Sequence, residues 1–166
     1  MNTFRETIPH PKLIQLYDYW TSICDGRDMP ARRDMDPLDI PRLLPNIILF
    51  DVEYDPIRFR VRLYGTALTK ISRNEITGRY LDEPGISPIY SLVGPANKKS
   101  ALTKKALLLD APYPPNLGGG HFYRLSLPLS DDGRQVSMLL TGFYREKHAL
   151  AEPQRSTQSA RVAARA

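Results

Sequence analysis

The chain has 166 residues, and at roughly 100–200 residues per domain it has room for one compact domain with tails. A balance of 23 Lys plus Arg against 18 Asp plus Glu leaves a net charge of +5, and a hydrophobic content of 42% is ample for a core, which excludes wholesale disorder. The 15 prolines against 10 glycines exclude a coiled coil and argue for a mixed chain of many short elements.

Leu13, Leu16, Tyr17, Trp20, Ile23 and Cys24 recur at helical spacing, which predicts a first helix over about residues 11–24, with Pro11 in its first turn and Asp25-Gly26 as its stop. Met29-Pro30, Asp36-Pro37 and Ile40-Pro41 then follow so closely that only a short helix near Leu38 to Leu44 fits between them. Asn46 to Tyr54 reads as a strand covered on both faces over its first half, because Ile47, Ile48, Leu49, Phe50 and Val52 are residue types that suit a packed pleat. Asp55-Pro56 turns the chain into Arg58 to Tyr64, where Phe59, Val61 and Leu63 alternate with Arg58, Arg60 and Arg62. The two runs form a hairpin. A short helical stretch near Ala67 to Ile71 follows, and Thr77-Gly78 and Glu83-Pro84-Gly85 cut the middle of the chain into turns.

Ser87-Pro88 starts a longer helix, whose periodicity resumes in Leu102, Ala106 and Leu109 after an interruption or kink at Gly94-Pro95. The loop from Pro112 to Gly120 is stiffened by proline at one end and loosened at the other by Gly118, Gly119 and Gly120, so it is expected to be mobile and able to gate a pocket. Tyr123, Leu125, Leu127 and Leu129 alternate with Phe122, Arg124 and Ser126, and Val136 to Tyr144 is a run of the same kind. Ser130-Asp131-Asp132-Gly133 joins these two strands as a hairpin. From Ala149 the composition loses all periodicity, which predicts an arm over residues 1–10, a domain over 11–148 and a flexible basic tail over 149–166.

Catalytic and metal chemistry find little footing. His10, His121 and His148 sit before the first helix, at the entry to a strand and after the last strand, and no pairing is evident. Cys24 lies on the apolar face of the first helix as a small buried hydrophobe; alone it makes no intrachain disulfide and no zinc cluster, which points to a reducing compartment, the cytoplasm. No run approaches the ~18 apolar residues of a membrane span, and no signal-peptide core follows the first residues. Gly118-Gly119-Gly120-His121 lacks the G-x-S-x-G partner an oxyanion loop would need. Asp34, Asp36 and Asp39 lack the glycine and glutamate of a calcium loop, so they cap turns. Arg58, Arg60 and Arg62, with Lys98, Lys99, Lys104 and Lys105, could serve nucleic acid, but no aromatic residues alternate with them as a stacking platform requires.

An ordered series of motifs adds to this reading. Leu16-Tyr17-Asp18-Tyr19-Trp20, Gly26-Arg27, Met29-Pro30, Asp36-Pro37, Leu43-Leu44-Pro45, Asp51-Val52, Asp55-Pro56, Phe59-Arg60, Gly65-Thr66 and Thr77-Gly78-Arg79 resemble the freestanding PAS-like proteins found mainly in alphaproteobacteria. Leu127-Pro128-Leu129 with Asp132-Gly133 extends the likeness, whereas Ser72-Arg73-Asn74-Glu75 and the stretch from Ile86 to Pro95 depart from it. The resemblance implies an α+β fold with a five-stranded antiparallel sheet, helices on one face and an additional N-terminal helix, and space between sheet and helices for a small ligand. Covalent flavin would need a cysteine on a short central helix, and haem a histidine from the long helix; neither residue is there, which argues against both cofactors.

The expected function is therefore a non-enzymatic sensory or regulatory module that binds a small molecule, a signalling protein partner or both, with a basic nucleic-acid-binding protein as the alternative. The expected pocket is lined by Phe59, Val61, Leu63, Leu125, Leu127, Met138 and Leu140 from the sheet, under short helices contributing Leu68 and Leu81. Leu13, Leu16, Tyr17 and Trp20, with Ile47 and Leu49, form the expected dimer or partner face, and PAS-like domains implying self-association make a homodimer the expected state.

Overall fold

The computed structural model describes residues 3–147 and 160–166. A short α1 (Thr3–Glu6) precedes α2 (Pro11–Ser22). The His10 ring nitrogen Nδ1 accepts from the Lys12 amide at 3.2 Å and caps α2, and Pro11 supplies a first-turn residue that needs no amide partner. Asp25 and Gly26, at φ +49° and +77°, turn the chain away after the helix as the sequence predicts. The prolines that follow leave three single turns at Arg32–Asp34, Pro37–Asp39 and Leu44–Asn46 where a short helix is expected. The aspartates here serve local structure: Asp36 accepts from the Leu38 amide, and Asp34 takes the Ala31 amide and the Arg27 guanidinium.

Six strands form one antiparallel sheet, in the order β2 (Arg58–Tyr64), β1 (Ile47–Glu53), β5 (Met138–Glu146), β4 (His121–Leu129), β3 (Leu107–Pro112) and β6 (Arg161–Ala164). The architecture is mixed α+β with an antiparallel sheet, one strand larger than expected. The extra strand comes from Arg161–Ala164, which pairs with β3 instead of belonging to a tail. Residues 149–159 of the expected tail lie outside the described residues. β3 is a second difference. The long helix α4 (Tyr90–Thr103) ends at Lys104, at φ +60°, and Leu107, Leu108 and Leu109 run on as a strand. Three consecutive leucines fit helical spacing as well as a strand buried on both faces, and here neighbours on both sides of β3 decide for the strand.

The central strands are covered on both faces. On one side α2 lies over β4 and β5 and buries Leu13, Leu16, Tyr17 and Trp20 completely, the Trp20 indole N–H donating to the Pro128 carbonyl at 3.0 Å. Gly142 of β5 lets the helix come this close, since a Cβ there would sit 2.6 Å from Leu13 Cδ2 and 2.8 Å from Leu16 Cδ2. Ile47 and Leu49 are buried as well. The six residues expected to make a dimer or partner face are thus consumed inside the chain, because the sheet's second apolar face needs its own helix. On the other side lie α3 (Thr66–Ser72), α4 and the connection between them.

The β4–β5 turn rests on Asp132, whose Oδ1 accepts from the amides of Arg134 and Gln135 and from the Ser130 hydroxyl. These donors hold the carboxyl at a pKa of about 2, below its unfolded value of roughly 3.9. A depressed folded pKa contributes stability above the unfolded value and loses it as pH falls toward the folded one. Asp132→Asn is therefore expected to be less stable than the wild type at pH 7 in urea melts, the gap narrowing below about pH 4 and closing near pH 2. A chain ended at Lys147 is expected to lose amide-exchange protection in β3 and to aggregate more readily, because Leu107–Leu109 then becomes an open edge.

Candidate functional site

Strand parity decides what meets the α3 and α4 side. Arg124 pairs with Phe143 across β4 and β5, and Phe50 and Ile48 continue the same face on β1. β2 would present Leu63 there by simple alternation. Its pairing jumps from Leu63 opposite Leu49 to Val61 opposite Phe50, which leaves Arg62 out of register and turns Tyr64 to the inner face in place of Leu63. Leu63 is left 41% exposed.

Between this face and the helices lies a cavity of about 330 Å³. Ile48, Phe50, Tyr64, Arg124 and Phe143 form its floor. Leu68 and Ile71 of α3 and Val93 of α4 form the roof, and Ile76, Leu81, Ile86 and Ile89 close one side from the connection between the helices. Tyr113 and Leu117 close the other side from the β3–β4 loop. No Asp, Glu, His or Cys lines it among the described residues. Burial pushes the Tyr64 phenol above its ordinary pKa, so it stays neutral.

Of the expected pocket residues, Leu68 and Leu81 line this cavity. Leu125, Leu127, Met138 and Leu140 are buried on the opposite parity: Leu125 pairs with Gly142 and Leu127 with Leu140, on the face that α2 covers. Phe59 and Val61 are buried on the cavity's side of the sheet but do not line the cavity; they lie in β2, along whose outer edge residues 79–81 run, with Val61 N–H donating to the Arg79 carbonyl and Leu81 N–H to the Phe59 carbonyl. Alternation shows which residues share a face and not which of two apolar faces borders a void.

Arg124 is the residue that alternation hides. It sits in the set with Phe122 and Ser126, and only Phe122 hints that this set is covered. The side chain is 2% exposed, and its Nη1 donates to Ser126 Oγ at 2.8 Å. Among the described residues Nη2 has no hydrogen-bond partner. Burial lowers its pKa to about 9, with no acidic neighbour acting against the shift, and the group remains a cation at neutral pH.

The loop expected to gate the pocket is tied down. Gly118, Gly119 and Gly120 all have positive φ, and the Gly119 carbonyl accepts from Arg145 Nε at 3.1 Å and Nη2 at 2.6 Å. The Arg145 guanidinium lies 4.1 Å from the Tyr113 ring centroid, so one side chain holds both ends of the loop. The histidines stand apart from the cavity: His10 stacks on Tyr144, His121 bonds Asp110, and His148 lies outside the described residues. The Cys24 thiol donates to the Trp20 carbonyl, and burial raises its pKa, which makes it a poor nucleophile. The arginine ladder of β2 is neutralised in place, Arg58 by Asp82, Arg60 by Asp51 and Glu53, and Arg62 by Asp51.

The described residues thus form an antiparallel sheet flanked by helices, with a cavity between the sheet and α3 and α4. A family model described as a PAS domain matches residues 8–83, so this part of the chain is similar to a PAS domain. The match spans α2, the β1–β2 hairpin, α3 and Leu81, and ends before α4 and the strands that carry Arg124 and Phe143. No curated protein and no solved structure matches the chain. PAS domains are generally sensory or regulatory modules without enzyme activity. No helix among the described residues is long and apolar enough to cross a membrane.

Arg145→Ala is expected to raise amide exchange across residues 113–120 by about tenfold to a hundredfold, the equivalent of the ~1–3 kcal/mol of a charged hydrogen bond and ring contact, while leaving β1 and β5 protected.

Proposed function

We propose that this chain is a non-enzymatic sensory or regulatory module that takes a small molecule into the cavity between the sheet and α3 and α4, and passes its occupancy to a protein partner. The cavity itself carries the proposal: about 330 Å³ of space, walled mainly by apolar side chains with polar groups from residues such as Tyr64, Asn74 and Arg124 among them, is at the small end of the range of ligand sites. Its lining has no nucleophile with a base beside it, so binding is the chemistry it supports.

The connection between α3 and α4 is the element best placed to report occupancy. Its inner residues Ile76, Leu81 and Ile86 touch the cavity, and its outer residues belong to a network of ion pairs on the surface. Arg79 pairs with Glu83, Asp82 with Arg58, and Tyr80 donates to Glu53. A ligand that repacks the inner side changes the outer surface that a signalling partner meets. Neutralisation of the arginine ladder in these same pairs removes the main support for nucleic-acid binding.

Leu68→Trp should fill the space from the roof. In thermal melts with a panel of small compounds with apolar bodies, the wild type is expected to gain about 2.7 kcal/mol at a ligand concentration 100 times Kd, and a folded Leu68→Trp variant to gain nothing. Equal responses from the two proteins, or none from the wild type across the panel, would overturn the proposal.

A further inference from the structure

The cavity has two chemically different ends. Toward α3 and the connection it is mostly apolar and carries no charge, with Leu68, Ile71, Ile76 and Ile86 beside Ser72, Asn74 and Ser87. At the sheet it meets the Arg124 guanidinium, with Nη2 unpartnered, and no acidic side chain anywhere in the lining. Next to Arg124 on the same sheet face lies Ser126, which pairs with Thr141 across the strands and reaches Asn97 Oδ1 of α4 at 3.4 Å. Asn97 Nδ2 and Thr141 Oγ1 are also buried without partners. Of these three residues, Arg124 alone lines the cavity.

Leaving a cation buried without a counter-charge is costly, and removing one partner of a buried pair costs more than replacing both with apolar groups. Water satisfies hydrogen bonds but brings no opposite charge. Resting on the proposed ligand-binding function, we infer that the ligand is a small monocarboxylic acid with an apolar body, its carboxylate on Arg124 and its chain beneath α3. A guanidinium presents N–H groups that match a carboxylate, and Nη2 is the Arg124 nitrogen left free to donate to one. A phosphate dianion is a poorer match, because Arg124 is the one cationic side chain in the lining. The volume admits a chain of modest length: at ~30 Å³ per water-sized group it has space for about ten such groups.

The test uses the full chain and three probes of equal length, octanoate, octan-1-ol and octyl phosphate, with affinities measured by calorimetry. The wild type is expected to bind octanoate at least tenfold more tightly than octan-1-ol. Arg124→Met is expected to weaken octanoate at least tenfold, to leave octan-1-ol unchanged, and to melt without ligand at or above the wild-type temperature, since the variant removes an unpaired buried charge. Should Arg124→Met fail to fold, Arg124→Lys keeps the charge without the planar fork and is expected to fall between the two for octanoate. The wild-type comparison of acid with alcohol needs no variant. Octanoate and octan-1-ol binding equally would overturn the carboxylate inference and leave the cavity reading standing. Octyl phosphate binding most tightly would overturn the choice of carboxylate. Failure of all three probes to bind the wild type would overturn both readings.

Discussion

The β4–β5 ladder carries apolar side chains on both faces, and the remaining elements are arranged by the need to cover them. Leu125, Leu127, Leu129, Met138 and Leu140 demand one cover, and Phe122, Leu139 and Phe143 demand another. A long helix, α2, meets the first demand, admitted by Gly142 and fixed by the Trp20 indole on the Pro128 carbonyl. The second face is closed by several separate pieces. α4 packs over β3 and β4, and α3 sits against the turn at Leu44–Asn46, where Gly65 leaves no room for a Cβ beside the Pro45 carbonyl. Two helices held at opposite ends of a face do not meet over its middle, and the void between them is the cavity.

Arg124 shows what that arrangement costs. Buried side chains in folded proteins pair their polar atoms, and departures concentrate where a site has been built. Here Arg124 departs at the edge of the cavity, with Asn97 and Thr141 connected to it through Ser126, away from the well-satisfied turn at Asp132. The same sheet face combines a stabilising aromatic cluster, with Phe122 and Phe143 stacked at 5.3 Å, and an unpaired cation beside it. Packing optimised for stability alone would put an apolar residue at position 124.

The surface electrostatics follow a different logic. The arginines of β2 look like a one-sided basic strip in sequence, yet β1 supplies Asp51 and Glu53 opposite them and the connection supplies Asp82. Exposed pairs of this kind add little stability each. Their effect is to join the outer side of the α3–α4 connection to the hairpin, so that this segment is bound to the sheet by backbone bonds on one side and by charges on the other.

The sequence by itself determined the local elements whose signals are short-range: α2 from its apolar spacing and Asp25-Gly26 stop, the two hairpins from alternation and their turns, and the assignment of Asp34 and Asp36 to capping. The ordered motifs of its front half also carried the PAS-like resemblance, and that is the part a family model matches. Only the tertiary structure decided the site. Alternation in β4 sorts Leu125 from Arg124 but is silent on which face α2 will occupy, and the out-of-register Arg62 that exchanges Leu63 for Tyr64 leaves no mark in composition. The leucine run of β3 is a strand because β4 and Arg161–Ala164 pair with it on either side, and the weak Arg161–Ala164 strand has β3 as its partner, so neither could be recognised from its own residues. Burial of Arg124 depends on residues far away in the chain, Asn97, Phe50 and Phe143 among them, and a charged residue in a strand reads as surface until such neighbours close over it.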